Sequence, residues 1–100
     1  MSRTSARVSA YYSDSVAAFQ TASVDAVVGA LTRTSAGNVD HTQVHAWEVE
    51  ARVLREALAN VSGHLFLEFS VPRLGSRVDA VLVSGPAVMP IEFKVRPGPI

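Results

Sequence analysis

The sequence predicts an α+β domain: a helical lead-in, one long helix, and a three-stranded antiparallel meander on which that helix packs. Three observations carry the prediction. Apolar side chains from Trp47 to Val61 recur at helical spacing, the pattern turns strand-like after Gly63, and Pro, Gly and Ser clusters cut the second half into three runs. The 100 residues suit one small domain with a modest core. A composition 48% hydrophobic and only 18% charged argues against a disordered chain. Nine basic and nine acidic side chains cancel, so attraction to nucleic acid has to come from a local patch. The absence of cysteine excludes a disulfide framework, a thiolate zinc site and a cysteine nucleophile. The longest apolar runs, such as Ala80 to Val83, fall far short of the roughly 20 residues that span a bilayer. The first residues carry Arg3 and Arg7 and no apolar signal core. The expected setting is soluble and cytoplasmic, with no membrane partner.

Residues 1–10 are small and polar and read as a frayed, disordered N-terminus. The helical lead-in covers 11–38. Ser13 or Ser15 caps a short helix carrying Val16, Ala17 and Phe19. Ser23, with Asp25 in the first turn, caps a second that carries Val24, Val27, Val28 and Leu31, and Thr34 to Asn38 form a loop. The core covers 39–95. Asp40 followed by Gln43 resembles a capping box. Trp47, Ala51, Leu54, Leu58 and Val61 then form one apolar stripe, and Gly63 suits the residue that ends a helix. Strands follow at His64 to Val71, Arg77 to Val83 and Val88 to Val95, separated by turns at Pro72 to Ser76 and Ser84 to Ala87. Pro90 implies an edge position or a late start for the third. Residues 96–100 are a tail, and the sheet's far face is left bare.

Charges inside strands require an explanation. Closing the last hairpin about Gly85-Pro86 pairs Val83 with Val88 and sets Asp79 opposite Glu92, with Lys94 two residues on. Like charges on directly opposed cross-strand positions are destabilising. A divalent cation, magnesium or manganese, resolves the conflict, because hard cations accept carboxylate oxygens together with water and phosphate. On the long helix Glu50 lies roughly 60° from Trp47, at the border of the stripe, whereas Glu48 and Glu56 turn toward solvent. Glu50, Asp79 and Glu92 are thus candidate metal ligands. Lys94, the chain's single lysine beside eight arginines, is the candidate to position or deprotonate the attacking water against a phosphodiester.

Asp79 on the second strand and Glu92-Phe93-Lys94 on the third resemble the signature of the PD-(D/E)XK nuclease superfamily, and Glu50 matches the helix carboxylate that many members carry. A longer similarity runs through Tyr12-Ser13-Asp14-Ser15, Trp47 to Leu58, Phe66 to Arg73, Arg77 to Leu82 and Ile91 to Val95. These segments resemble the N-terminal nuclease-like region of bacterial proteins that continue into a Schlafen-like DNA/RNA helicase domain. The resemblance implies a restriction-endonuclease-like core in truncated form, since the chain ends six residues after Lys94, before the helix and fourth strand of that core. It implies a magnesium- or manganese-dependent nuclease in which Asp79, Glu92 and Lys94 are catalytic. There is no GxxxxGK[ST] loop for ATP, and the proline that often precedes the acidic residue is absent.

Each feature also has a plainer reading. Asp79, Glu92 and Lys94 make a neutralising edge cluster, and Glu50 is an ordinary border charge. Glu68 either joins the site or pairs with Arg77, while Arg73 and Arg77 either contact phosphate or cap the turn. His41 and His45 lack a third ligand and read as surface residues, and Trp47 as a core anchor. Ser13 and Ser15 lack a histidine neighbour in sequence and read as caps. Two functions are therefore expected: phosphodiester hydrolysis of DNA or RNA, or a non-catalytic module. The module would bind nucleic acid, or dock a helicase/ATPase partner or a second copy through the uncovered sheet.

Overall fold

The computed structural model describes residues 9–35, 39–71 and 75–94. The chain opens with a strand, β1 (Ala10–Ser15), followed by helices α1 (Val16–Thr21), α2 (Val24–Thr34) and α3 (His41–Ala57). Strands β2 (His64–Val71), β3 (Ser76–Ser84) and β4 (Ala87–Ile91) complete it. The four strands form one antiparallel sheet in the order β1-β2-β3-β4. The mixed α+β class agrees with the expectation, with one strand more than expected.

That extra strand replaces the start of the helical lead-in. Tyr11 and Tyr12 favour an extended, half-buried strand, and β1 has a partner in β2, pairing from Ala10↔Phe69 to Ser15↔His64. Ser15 ends the strand and begins the helix at once, its Oγ accepting from the Ala18 N–H at 3.1 Å. Ser23 caps α2 in the same way through Ala26, and Asp40 caps α3 through Gln43, each at 3.0 Å. Residues 1–8, 36–38, 72–74 and 95–100 lie outside the described residues, and with them most of the expected frayed end, part of a loop, part of a turn and the tail.

The helices cover one face of the sheet. Val16 and Phe19 of α1, Val27, Val28 and Leu31 of α2, and Trp47, Ala51 and Leu54 of α3 meet Leu65, Leu67, Ala80 and Leu82 in a single core. Gln20 donates to the Arg55 carbonyl at 2.9 Å, and Arg55 donates back to the Ala22 carbonyl, so α3 is tied to the α1–α2 link. The helix α3 stops at Ala57, short of Gly63. Gly63 serves a different purpose, because a Cβ there would sit 2.2 Å from the Val83 carbonyl oxygen, and its φ is 148°. Gly63→Ala should therefore destabilise the domain by about 1–3 kcal/mol, read as a fall in the urea midpoint. An unchanged midpoint would show that β3 can back away.

The β3–β4 hairpin has the expected register, Val83↔Val88 through Ala80↔Ile91, with Gly85 supplying a positive φ of 57° in the turn. Strand β4 ends at Ile91, earlier than expected. Pro90 lies on this edge strand, the place in a sheet where proline is tolerated.

Candidate functional site

The sheet is interrupted along one line. The β1–β2 ladder skips Tyr11 and Glu68, and the β2–β3 ladder skips Glu68 and Asp79. Glu68 has a φ of 55°, the one positive φ among described non-glycine residues. Left-handed backbone at a residue with a Cβ costs roughly 1–2 kcal/mol and has to be held by its surroundings. Here it breaks the strand's alternation. Phe66 and Phe69 come together at 5.9 Å between ring centres, while the Glu68 side chain meets α3.

What holds Glu68 is visible. One carboxylate oxygen accepts from the Trp47 indole N–H at 3.3 Å, and the other lies 3.5 Å from the Arg77 guanidinium. Arg77 in turn lies 4.7 Å over the Tyr11 ring, whose edge-on contact with Trp47 closes the circuit. Trp47 is buried, as a core anchor should be, yet its polar edge also positions a carboxylate. Of the two readings of Glu68, the pair with Arg77 is present, and its charge also reaches Glu50.

Glu50 projects from α3 at the border of the apolar stripe and is half-buried. Burial pushes its carboxyl up to about 7, and the neighbouring Asp79 and Glu68 carboxylates push in the same direction. The helix carboxylate and the strand aspartate are thus neighbours, as the sequence suggested. Asp79 itself accepts from the Phe93 backbone N–H at 2.8 Å, just where the β3–β4 ladder stops. That bond takes over the strand-end donor and fixes the aspartate. The hairpin register, extended by one residue, sets Asp79 against Glu92, but the chain has left the ladder there. Glu92 and Lys94 are exposed, while Ile91 and Phe93 pack on the core. The ladder does not extend to an Asp79–Glu92 pair.

The structure therefore brings together Glu50, Glu68 and Asp79, with Arg77 attached through Glu68, and leaves Glu92 and Lys94 on the surface. Arg73 lies outside the described residues. Among the described residues, no three His, Asp or Glu side chains converge closely enough to hold a metal ion. The donor chemistry of Glu50 and Asp79 nonetheless suits magnesium, which binds through one or two carboxylates and keeps several waters. Their crowding is also what a cation would relieve.

One contact escaped the sequence reading. Ser13 lies 2.8 Å from His64 Nε2 across β1–β2, a partnership invisible until Tyr11–Ser15 is known to be a strand. His41 and His45 are exposed, the latter 3.9 Å from Glu48.

The raised Glu50 carboxyl makes stability depend on pH. The folded state holds this proton more tightly than the unfolded chain, so the contribution is complete below about 4.5 and is lost as pH rises toward about 7. Because Glu50 is only half-buried, solvent screening reduces the expected loss to about 1–2 kcal/mol. Chemical denaturation at pH 5 and pH 8 should show it, and Glu50→Gln should flatten the difference. A variant that keeps the wild-type slope would assign it to another group.

A scan against protein-family models found no match, and searches of curated proteins and of solved structures likewise found none. Among the described residues no helix is long and apolar enough to cross a membrane.

Proposed function

We propose that this chain is a metal-dependent nuclease-like domain of PD-(D/E)XK type, hydrolysing phosphodiester bonds of DNA or RNA in the cytoplasm. The observation that carries the proposal is the placing of the half-buried Glu50 carboxyl beside Asp79, where burial first and the Asp79 charge second raise it to about 7. Paired carboxylates from a helix and a strand end are costly unless something positive is meant to sit between them.

Glu50 and Asp79 would hold magnesium or manganese, with water filling the remaining positions. The bound ion supplies Lewis acidity and a lowered pKa for its water. Asp79 is oriented for this by the Phe93 N–H. Glu50 carries a proton at mildly acidic pH and releases it as the site fills or the pH rises, so cation binding should strengthen with pH. The Lys94 ammonium is accessible to a phosphate, offsets its growing negative charge and positions the attacking water. Arg77, half-exposed beside Glu68, is available to the nucleic-acid backbone on the same side, and Arg73 is proposed as a second backbone contact.

Calorimetric titration with magnesium or manganese tests this directly. Saturable binding is expected for the wild type, weakened at least about tenfold in Asp79→Asn, since removing one ligand's charge costs on the order of 1.4 kcal/mol or more. Identical isotherms would remove Asp79 from the site.

A second reading is favoured by two observations. Glu92 and Lys94 are exposed, and Val88 and Met89 on the edge strand β4 are apolar and 64% and 46% accessible. The domain would then be a non-catalytic module that binds nucleic acid, or that docks a helicase/ATPase partner or a second copy along β4. It predicts metal-independent behaviour and concentration-dependent association, and a monomer with metal-dependent cleavage would exclude it.

A further inference from the structure

We propose that the cleft beside the carboxylate cluster seats a single nucleobase and selects bases that carry an exocyclic amino group over uracil and thymine. The inference rests on the nuclease-like reading and names which part of the nucleic acid the domain would grip.

The cleft lies between the N-terminal end of α3 and the interrupted line of the sheet, and its volume is about 260 Å³. That is just under the roughly 300–1,000 Å³ of ordinary small-molecule sites, which suits one planar ring rather than a base pair or a peptide. Tyr11 and Trp47 supply aromatic lining, their rings edge to face at 6.5 Å and 79°. Glu68, Arg77, Asp40, Gln43 and Ser35 supply the polar lining.

The polar groups decide the chemistry. One oxygen of Glu68 accepts from Trp47 and the other lies 3.5 Å from the Arg77 guanidinium, and each retains a lone pair for a ligand. A carboxylate held this way needs no reorganisation to accept a further hydrogen bond. Asp40 adds a second carboxylate and Gln43 a carboxamide, against a single guanidinium. The lining is therefore acidic, unwelcoming to a phosphate and suited to exocyclic amino donors. Carboxylates accept from the cytosine amino group, and glutamine pairs with adenine through its amino group and ring nitrogen. Uracil and thymine offer a single ring N–H flanked by two carbonyl oxygens, which repel a carboxylate that approaches it. Glu68 also neighbours Glu50, so the cleft and the carboxylate cluster share a wall. A strand whose phosphodiester meets the cluster has a base beside this cleft.

Trp47 is the only tryptophan, so the full chain gives one indole N–H resonance in a nitrogen-correlated NMR spectrum. Because that N–H donates to Glu68, the resonance reports directly on anything that binds the carboxylate. Titration with cytidine and adenosine, nucleosides that carry no phosphate, should shift it saturably, with uridine at least about tenfold weaker. Gln43→Ala, folded as judged by its melting temperature, should weaken adenosine by about tenfold. A folded chain whose resonance ignores every nucleoside overturns the proposal. So does equal affinity for uridine, or tighter binding of free guanidinium than of cytidine, which would mark a cation cleft. Metal-dependent cleavage of a single-stranded oligonucleotide, assayed alongside, separates the two readings. Cleavage without nucleoside binding overturns the cleft alone. Nucleoside binding without cleavage supports the cleft and removes the nuclease.

Discussion

Lys94→Ala is expected to lower metal-dependent phosphodiester cleavage by about 10²–10⁴-fold, the range that one positioned acid–base or charge-stabilising group contributes. The fold should not change. Lys94 is exposed, and neither ion pair among the described residues involves it, so the effect on stability should stay within about 0.5 kcal/mol. That separation makes the measurement clean, because initial rates can be compared on proteins with the same melting curve. Lys94→Arg divides the role further. Arginine keeps the positive charge but cannot release a proton, so a variant that recovers most of the rate assigns Lys94 to charge stabilisation, and one as slow as alanine assigns it to proton handling. Cleavage at the wild-type rate in Lys94→Ala would leave the exposed ammonium without a catalytic role and favour the non-catalytic module.

Phe19→Ala should produce the largest loss of stability, about 3–5 kcal/mol. Phe19 lies on the six-residue helix α1, too short to persist by itself, and its side chain is completely buried. The ring makes an edge-on contact with Tyr12 of β1 at 6.2 Å between centres and shares the core with residues of α2, α3, β2 and β3. Removing it opens a cavity at the junction of strand and helices. Domains of this size are commonly stable by only about 5–15 kcal/mol, so the variant should melt far below the wild type or fail to fold. Phe19→Leu, which keeps most of the volume, should recover more than half of the loss. A Phe19→Ala variant melting within a few degrees of the wild type would mean that α1 is not anchored by this ring.

What could be read from the sequence was local. The caps at Ser15, Ser23 and Asp40 depend on the next three residues, and the β3–β4 register depends on a turn that contains Gly85. The border position of Glu50 follows from helical geometry alone. What could not be read depends on a distant partner. Tyr11 to Ser15 become a strand because β2 lies alongside, and nothing near them in sequence says so. Gly63 looked like a helix end and is instead the spot where the Val83 carbonyl leaves no room for a Cβ. Glu68 was legible as a charge in a strand, but its left-handed backbone and its grip by Trp47 and Arg77 arise only once three elements meet. The early end of β4 has the same origin, since Asp79 takes the Phe93 N–H that a longer strand would have given to the ladder.

The position of β1 has a consequence for the order in which the molecule assembles. Strands β2, β3 and β4 follow one another through short connections and form by local closure, whereas β1 pairs with β2 only across the whole helical layer. Closing that long loop is entropically late and slow. The β1–β2 amides should accordingly show weaker hydrogen-exchange protection than those of β2–β3, opening as a unit without global unfolding. Tyr11, which steadies Arg77 and so Glu68, arrives with β1. The electrostatic frame of the carboxylate cluster thus depends on the strand expected to dock last, and its integrity should vary with the opening of that sheet edge.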